Sequence, residues 1–268
     1  MNKIVKRILL GALVISVPVG GSIFYFANSN NSSEAGNDKN RSEVVPGKDE
    51  KDDGKGGKDD KSGHIPTDAK LENPHKDKIE MLKEAYQNDE VVGVVSIPGT
   101  SIDSVVVQHK DNEYYLTHNA DNTEKVDGSV FLDYRVEINR GRKNLIYGHN
   151  GDENELNVPF SELENYYDKD FYNGHQYIKL EDSDGVGTYQ IFSVYVETSK
   201  LDYMYTNFTD EAWAEHLKYL KSNSLYETNV NVESDDEILI LQTCSHNEDY
   251  YKFKDRYLLV VAKRVRYE

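Results

Sequence analysis

Between Val91 and Val265 the apolar residues come in eight short runs, at residues 91–97, 102–108, 128–134, 144–147, 176–181, 188–198, 237–243 and 256–265. They are rich in Val, Ile, Leu and Tyr, and the first ends at Pro98-Gly99, a turn signal. A chain with this many short strands must dispose of its sheet edges, so it is predicted to be mainly β, closed into a barrel or paired as a sandwich. Helical spacing is confined to three places. Ile79, Leu82 and Tyr86 predict an amphipathic helix over 76–87. Phe160, Leu163, Tyr166 and Tyr167 predict another over 160–172. Thr209 is placed to cap a third over 210–220, where Asp210 and Glu211 suit the positive end of the helix dipole.

The rest of the chain has a different character. Residues 1–27 carry three basic and no acidic side chains, and Ile8 to Ala27 is an uncharged run of 20 residues. That is long enough to cross a bilayer core. A cleaved export signal would have a shorter apolar region and small residues before the cut, whereas Phe24, Tyr25 and Phe26 suit an interfacial belt. An uncleaved anchor is therefore expected. Lys3, Lys6 and Arg7 keep the N-terminus in the cytoplasm and put all that follows outside. Residues 28–75, mostly Asn, Ser, Lys, Asp and Gly, predict a disordered tether. Residues 76–268 form the folded domain and carry 20 basic against 37 acidic residues. Such acidity argues against nucleic-acid binding. One cysteine in 268 residues excludes an internal disulfide framework and a Cys-rich zinc site.

That cysteine, Cys244, ends the run Ile238-Leu239-Ile240-Leu241-Gln242-Thr243 and is followed by Ser245-His246-Asn247. One reading is a buried structural thiol, a small core hydrophobe. The other is a nucleophile, since the end of a strand running into a polar loop is where a scaffold presents a reactive group. A nucleophilic thiol needs a proton partner. Of eight histidines, His149 stands out because Asn144-Leu145-Ile146-Tyr147 is a strand and Gly148 a permissive turn. His109, His118, His175 and His216 are expected to be solvated, and His246, though near Cys244, lies past the strand end. A developing oxyanion needs a donor, and Arg256 opens the last strand.

The segments Ile146-Tyr147-Gly148-His149-Asn150, Leu241-Gln242-Thr243-Cys244 and Asp255-Arg256-Tyr257-Leu258-Leu259-Val260-Val261 resemble the histidine, cysteine and arginine motifs of sortases, the membrane-anchored cysteine transpeptidases of Gram-positive bacteria. Gly128 to Arg135, Tyr114-Tyr115-Leu116, the N-terminal helix and the helix inserted before the cysteine strand resemble class B in particular. Gln242 departs from the pattern, standing where many members carry a smaller residue such as Ser. The resemblance implies a closed eight-stranded barrel. It implies catalysis by Cys244 as nucleophile, Arg256 as oxyanion support and His149 as the acid for the leaving amine. It also implies a secreted substrate with a C-terminal sorting motif cut after Thr, and an amine of a cell-wall precursor as acceptor. Tyr147, Asn150, Thr243 and Ser245 are candidate substrate contacts. No cofactor is implied, and no metal, the acidic residues lacking EF-hand spacing.

Three other readings compete. An L,D-transpeptidase would place Gly before the cysteine and Arg two residues after it, where this chain has Thr243 and His246. The same site could serve a cysteine endopeptidase acting mainly by hydrolysis. A non-catalytic peptide-binding module would have no use for Cys, His and Arg at three strand ends.

Overall fold

The structure, a computed structural model, describes residues 73–151 and 158–268. The predicted anchor, 1–27, and the predicted tether as far as residue 72 lie outside the described residues. Each of the eight apolar runs contains a strand: β1 (Val91–Ser96), β2 (Asp103–Val107), β3 (Val130–Leu132), β4 (Lys143–Tyr147), β5 (Tyr177–Glu181), β6 (Val186–Glu197), β7 (Ile238–Cys244) and β8 (Tyr257–Tyr267). They close into a barrel in the order β1-β2-β3-β4-β7-β8-β6-β5, so the edges are removed by closure rather than by stacking two sheets. β2 pairs with β3 and β4 with β7 in parallel; the other neighbours are antiparallel.

Strand alternation sorts the apolar side chains into two layers. Val95, Val106, Val130, Ile146, Leu180, Ile191, Leu241 and Val260, from all eight strands, fill the barrel. Phe131, Leu145, Ile240 and Leu259 face outwards and are buried against Trp213, Leu217 and Leu220. Those three come from helix α3 (Asp210–Ser222). Burial on both faces is why β7 has no polar residue between Ile238 and Leu241.

Helices form at the three predicted places, with shifted ends and one break. α1 (Pro74–Tyr86) begins two residues before the predicted position 76, because Pro74 suits the first turn. Asn73 accepts from the N–H groups of His75 and Lys76 at 3.1 and 3.3 Å. Thr209 Oγ1 accepts from Ala212 N–H at 3.3 Å, as predicted. The helix predicted over 160–172 is instead a 3-10 helix (Ser161–Tyr167) followed by α2 (Lys169–Gly174). Asp168 breaks it by capping the second piece, accepting from Asp170 N–H at 2.8 Å. Among the described residues no helix is long and apolar enough to cross a membrane.

His216 is a correction. It was expected at the surface, but it is buried under the segment between β6 and α3. Its Nε2 lies 3.2 Å from Nζ of Lys143, which also donates to the Tyr203 carbonyl and, at 2.8 Å, to that of Tyr205. Burial pushes the Lys143 ammonium down to about 7. Burial first and the Lys143 charge second push His216 down to about 3, so its ring is neutral and can accept from the lysine.

Candidate active site

Strand register brings the three motifs to one end of the barrel. The parallel pairing of β4 with β7 sets Tyr147 opposite Gln242, and the Gly148 N–H continues the ladder to the Gln242 carbonyl at 3.1 Å. His149 and Cys244 thus leave adjacent strands at the same level. β8 runs antiparallel to β7 with Tyr257 opposite Cys244, so Arg256, one residue before the strand rather than its first, enters at that end. The Ser245 N–H donates to the Arg256 carbonyl at 3.0 Å.

Cys244 is the one residue of β7 that is exposed, which decides between the two readings of its sequence position in favour of an accessible thiol. Alternation puts it on the outward face with Gln242. Desolvation by the surrounding atoms pushes the thiol up; the nearby Arg256 charge opposes this and the Glu164 carboxylate adds to it. The resting sulfur is therefore largely a neutral thiol at neutral pH.

His149 is oriented through its backbone and its ring. The Phe160 N–H donates to its carbonyl at 3.1 Å, and Nε2 lies 2.8 Å from the Leu116 carbonyl. A carbonyl can only accept, so Nε2 carries the hydrogen and Nδ1 is the nitrogen left for proton exchange. Gly148 is required by a close approach, since a Cβ there would drive into the Phe160 ring. Arg256 is held by Nε donating to the Ser245 carbonyl at 2.9 Å, by Nη1 donating to the Phe253 carbonyl at 3.3 Å, and by Tyr251, whose ring centroid is 5.2 Å from the guanidinium carbon. Among the described residues Nη2 makes no hydrogen bond, which leaves it available to an anionic oxygen. No hydrogen bond joins Cys244 to His149 or Arg256 among the described residues.

Of the four candidate substrate contacts, Asn150 bonds the Cys244 carbonyl, Thr243 and Ser245 adjoin Cys244 in the chain, and Tyr147 lies opposite Gln242, but most of their polar atoms are already engaged. Tyr147 is buried, and its hydroxyl donates to Asp133 Oδ2 at 2.8 Å. Burial would raise Asp133, but its hydrogen bonds with Arg135 hold the carboxyl below its ordinary value. Ser245 Oγ lies 2.6 Å from the Tyr167 hydroxyl and accepts the Asn247 N–H at 3.2 Å. Asn150 Nδ2 donates to the Cys244 carbonyl and to Glu164 Oε1, each at 2.8 Å, whereas its Oδ1 has no partner. Thr243 Oγ1 is also buried and unpaired, on the face opposite the thiol. Sequence reading missed Glu164, Tyr167 and the Leu116 carbonyl. Glu164 left a faint signal, being an acidic residue between the buried Leu163 and Tyr166. The Leu116 carbonyl left none, because a backbone atom has no signature in residue type. Among the described residues no group of three or more His, Cys, Asp and Glu side chains could hold a metal ion.

The family model of the sortase domain matches residues 95–265. Sortase B of Listeria monocytogenes is 38% identical over 169 residues, which is 62% of this chain and 67% of that protein. Sortase B of Staphylococcus aureus is 33% identical over 181 residues, 67% of this chain and 72% of that protein. Among solved structures, the substrate complex of Staphylococcus aureus sortase B superposes with a TM-score of 0.63 at 31% identity, covering 71% of this chain and 86% of that one. Clostridium perfringens sortase B superposes at 0.62 and 32% identity, covering 70% and 99%.

A closed barrel that ends its seventh strand on an exposed thiol, matched by this family model over most of the domain, makes the assignment direct: the chain belongs to the sortase family. Its relatives and structural neighbours place it in class B. It is a class B sortase, a cysteine transpeptidase.

Proposed function

We propose that Cys244, His149 and Arg256 carry the transpeptidation. The Cys244 sulfur attacks the threonine carbonyl carbon of a sorting motif near the C-terminus of a secreted protein, with the minor ionised fraction of the thiol reacting. Arg256, through Nη2, balances the charge on the carbonyl oxygen in the tetrahedral state. His149, whose Nδ1 takes the thiol proton when Cys244 ionises, passes that proton to the departing amine as the C–N bond breaks. The result is a thioester on Cys244. An acceptor amine, on a cell-wall precursor or peptidoglycan, then attacks the thioester carbon, gives its proton back to His149 and releases the thiol as the new amide forms.

The observation that carries this reading is the register of β4, β7 and β8, which delivers three chemically matched groups to one strand-end level. We further propose that the apolar run Ile8 to Ala27 anchors the chain in the cell membrane with its N-terminus in the cytoplasm, and that residues 28–72 tether a catalytic domain facing the wall.

The test incubates the full chain with sorting-motif peptides and either oligoglycine or a diamino-acid amine, reads intact-protein and peptide masses, and runs Cys244→Ala alongside. A thioester on Cys244, cleavage after threonine and a new amide are expected, all absent in Cys244→Ala. Cleavage yielding only the free acid would make the enzyme an endopeptidase with these reactants. Unchanged turnover in Cys244→Ala would remove the assignment of the nucleophile.

A further inference from the structure

The turn that follows β4 and the turn that follows β7 carry the two groups that must exchange a proton, and among the described residues no main-chain hydrogen bond joins these turns beyond Gly148. What joins them further is the Asn150 side chain, bonded directly to the Cys244 carbonyl, and a side chain from a third element that holds both turns. Glu164, half-buried on the 3-10 helix Ser161–Tyr167, accepts at one oxygen, Oε1, from Asn150 Nδ2 and from the His246 N–H, each at 2.8 Å. The same Asn150 Nδ2 donates to the Cys244 carbonyl at 2.8 Å. One carboxylate oxygen therefore ties the residue after the histidine to the residue two past the cysteine, and the amide between them closes the triangle onto the cysteine itself. The 3-10 helix is not free to drift, since Leu163 and Tyr166 on either side of Glu164 are fully buried in the barrel core. The clamp is thus mounted on the core and reaches both turns.

We propose that Glu164 is a positioning residue of the transpeptidase, which holds the His149–Asn150 turn against the Cys244–His246 turn and so sets the distance over which thiol and imidazole cooperate. This rests on the assignment of Cys244 and His149 made above. Glu164 does not touch the reacting atoms; it acts through Asn150 and the His246 peptide. A carboxylate is a costly choice for this place. Its charge disfavours the Cys244 thiolate, in opposition to Arg256. A charged acceptor makes stronger hydrogen bonds than a neutral one, so the site trades nucleophile ionisation for rigidity. Burial also raises the Glu164 carboxyl above its ordinary value, the hydrogen bonds from His246 and Asn150 opposing that shift. The other titratable or charged groups around Cys244 are Arg256, Tyr203 and Tyr257, with His149 and His246 on the two turns.

Geometry and charge separate in two substitutions. Glu164→Gln keeps an acceptor oxygen for both N–H groups and removes the charge; Glu164→Ala removes both. The full chain and each variant are assayed for peptide transpeptidation, for the pH dependence of Cys244 alkylation by iodoacetamide, and for thermal melting. Glu164→Gln is expected to retain kcat within about twofold and to move the alkylation inflection to lower pH, because a negative charge beside the thiol is gone. Glu164→Ala is expected to move the inflection the same way, yet to lose about tenfold in kcat with little change in KM, as misplacing a reacting pair does. Rescue by Gln together with loss in Glu164→Met, which keeps the volume but accepts no hydrogen bond, is the signature of a clamp; wild-type turnover in Glu164→Met would assign the role to packing and overturn the proposal.

Equal loss of kcat in Glu164→Gln and Glu164→Ala would overturn the proposal, as would wild-type kcat in Glu164→Ala. If Glu164→Ala does not stay folded at the assay temperature, Asn150→Asp replaces it. This variant removes the bridging N–H donors and sets a carboxylate against Glu164. It must lose kcat, and wild-type turnover there would equally overturn the clamp. Cys244→Ala runs in parallel. If it retains turnover, the underlying catalytic assignment fails; if it is inactive while the Glu164 variants behave as wild type, only the clamp fails.

Discussion

His149 donates from Nε2 to the main-chain carbonyl of Leu116 at 2.8 Å, so a residue 33 positions upstream selects the tautomer of the histidine. Leu116 ends a 3-10 helix (Tyr114–Leu116) packed over Gly128, whose φ of +55° belongs to the left-handed region. A Cβ on Gly128 would collide with the Tyr115 and Leu116 carbonyls.

Gly128→Ala is therefore expected to act at a distance on His149. The strained φ and the collision should lower stability by about 1–3 kcal/mol. The displaced Leu116 carbonyl should lower kcat more than it changes KM. Urea denaturation and steady-state peptide kinetics check the two effects. By contrast, Leu116→Met should leave kcat within about twofold, because the acceptor is main chain and the swap conserves volume.

The Arg256 charge lowers the Cys244 thiol against the upward push of burial and of Glu164. Arg256→Ala should consequently shift the inflection of iodoacetamide alkylation to higher pH. Arg256→Lys keeps a charge, so its inflection should stay nearer that of the wild type. Lysine cannot reproduce the guanidinium fork held by the Ser245 and Phe253 carbonyls. Turnover by Arg256→Lys should still fall by about 10²-fold, the scale of losing one oxyanion donor.

His216, pushed down to about 3 by burial and Lys143, gives a pH dependence to stability. Its folded value lies below the unfolded value of about 6.5. Its contribution is thus fully present above pH 6.5 and is lost as pH falls towards 3, because the unfolded chain binds the proton first. The folded chain should lose less stability between those pH values in His216→Gln than in the wild type. Denaturant midpoints measured at several pH values would show parallel curves if the ring were ordinarily solvated.

Asn73 marks where the folded domain starts, by capping α1. Asn73→Ala should cost about 1 kcal/mol of stability and leave peptide turnover unchanged, since α1 contributes no atom to the Cys244 site. A shift in melting temperature without a change in kcat or KM is the expected result.

The strands, and Cys244, His149 and Arg256 as candidates for the site, were legible in the residues because both depend on local rules. Burial on both faces imposes the unbroken apolar runs that mark β7 and the first half of β8. A cysteine, a histidine and an arginine at strand ends keep their chemistry wherever the ends meet. The breaks were less legible. Asp168 divides a segment whose apolar spacing is continuous, because its carboxylate competes for backbone N–H groups that spacing alone assigns to one helix. His216 was misread because a histidine on a helix has the same local pattern whether its face meets water or Lys143.

The sequence alone determined that this chain forms a β-rich domain and that Cys244, His149 and Arg256 are its reactive candidates, since run length, alternation and side-chain chemistry are properties of neighbours along the chain. Only the tertiary structure decided that β4 lies parallel beside β7, 95 residues later in the sequence, with Lys143 opposite Ile238. That pairing brings the histidine level with the cysteine. Only it decided that Glu164 and the Leu116 carbonyl hold them there. Contacts between distant segments are set by closure of the barrel and burial of its two apolar layers, a global balance that no window of sequence contains.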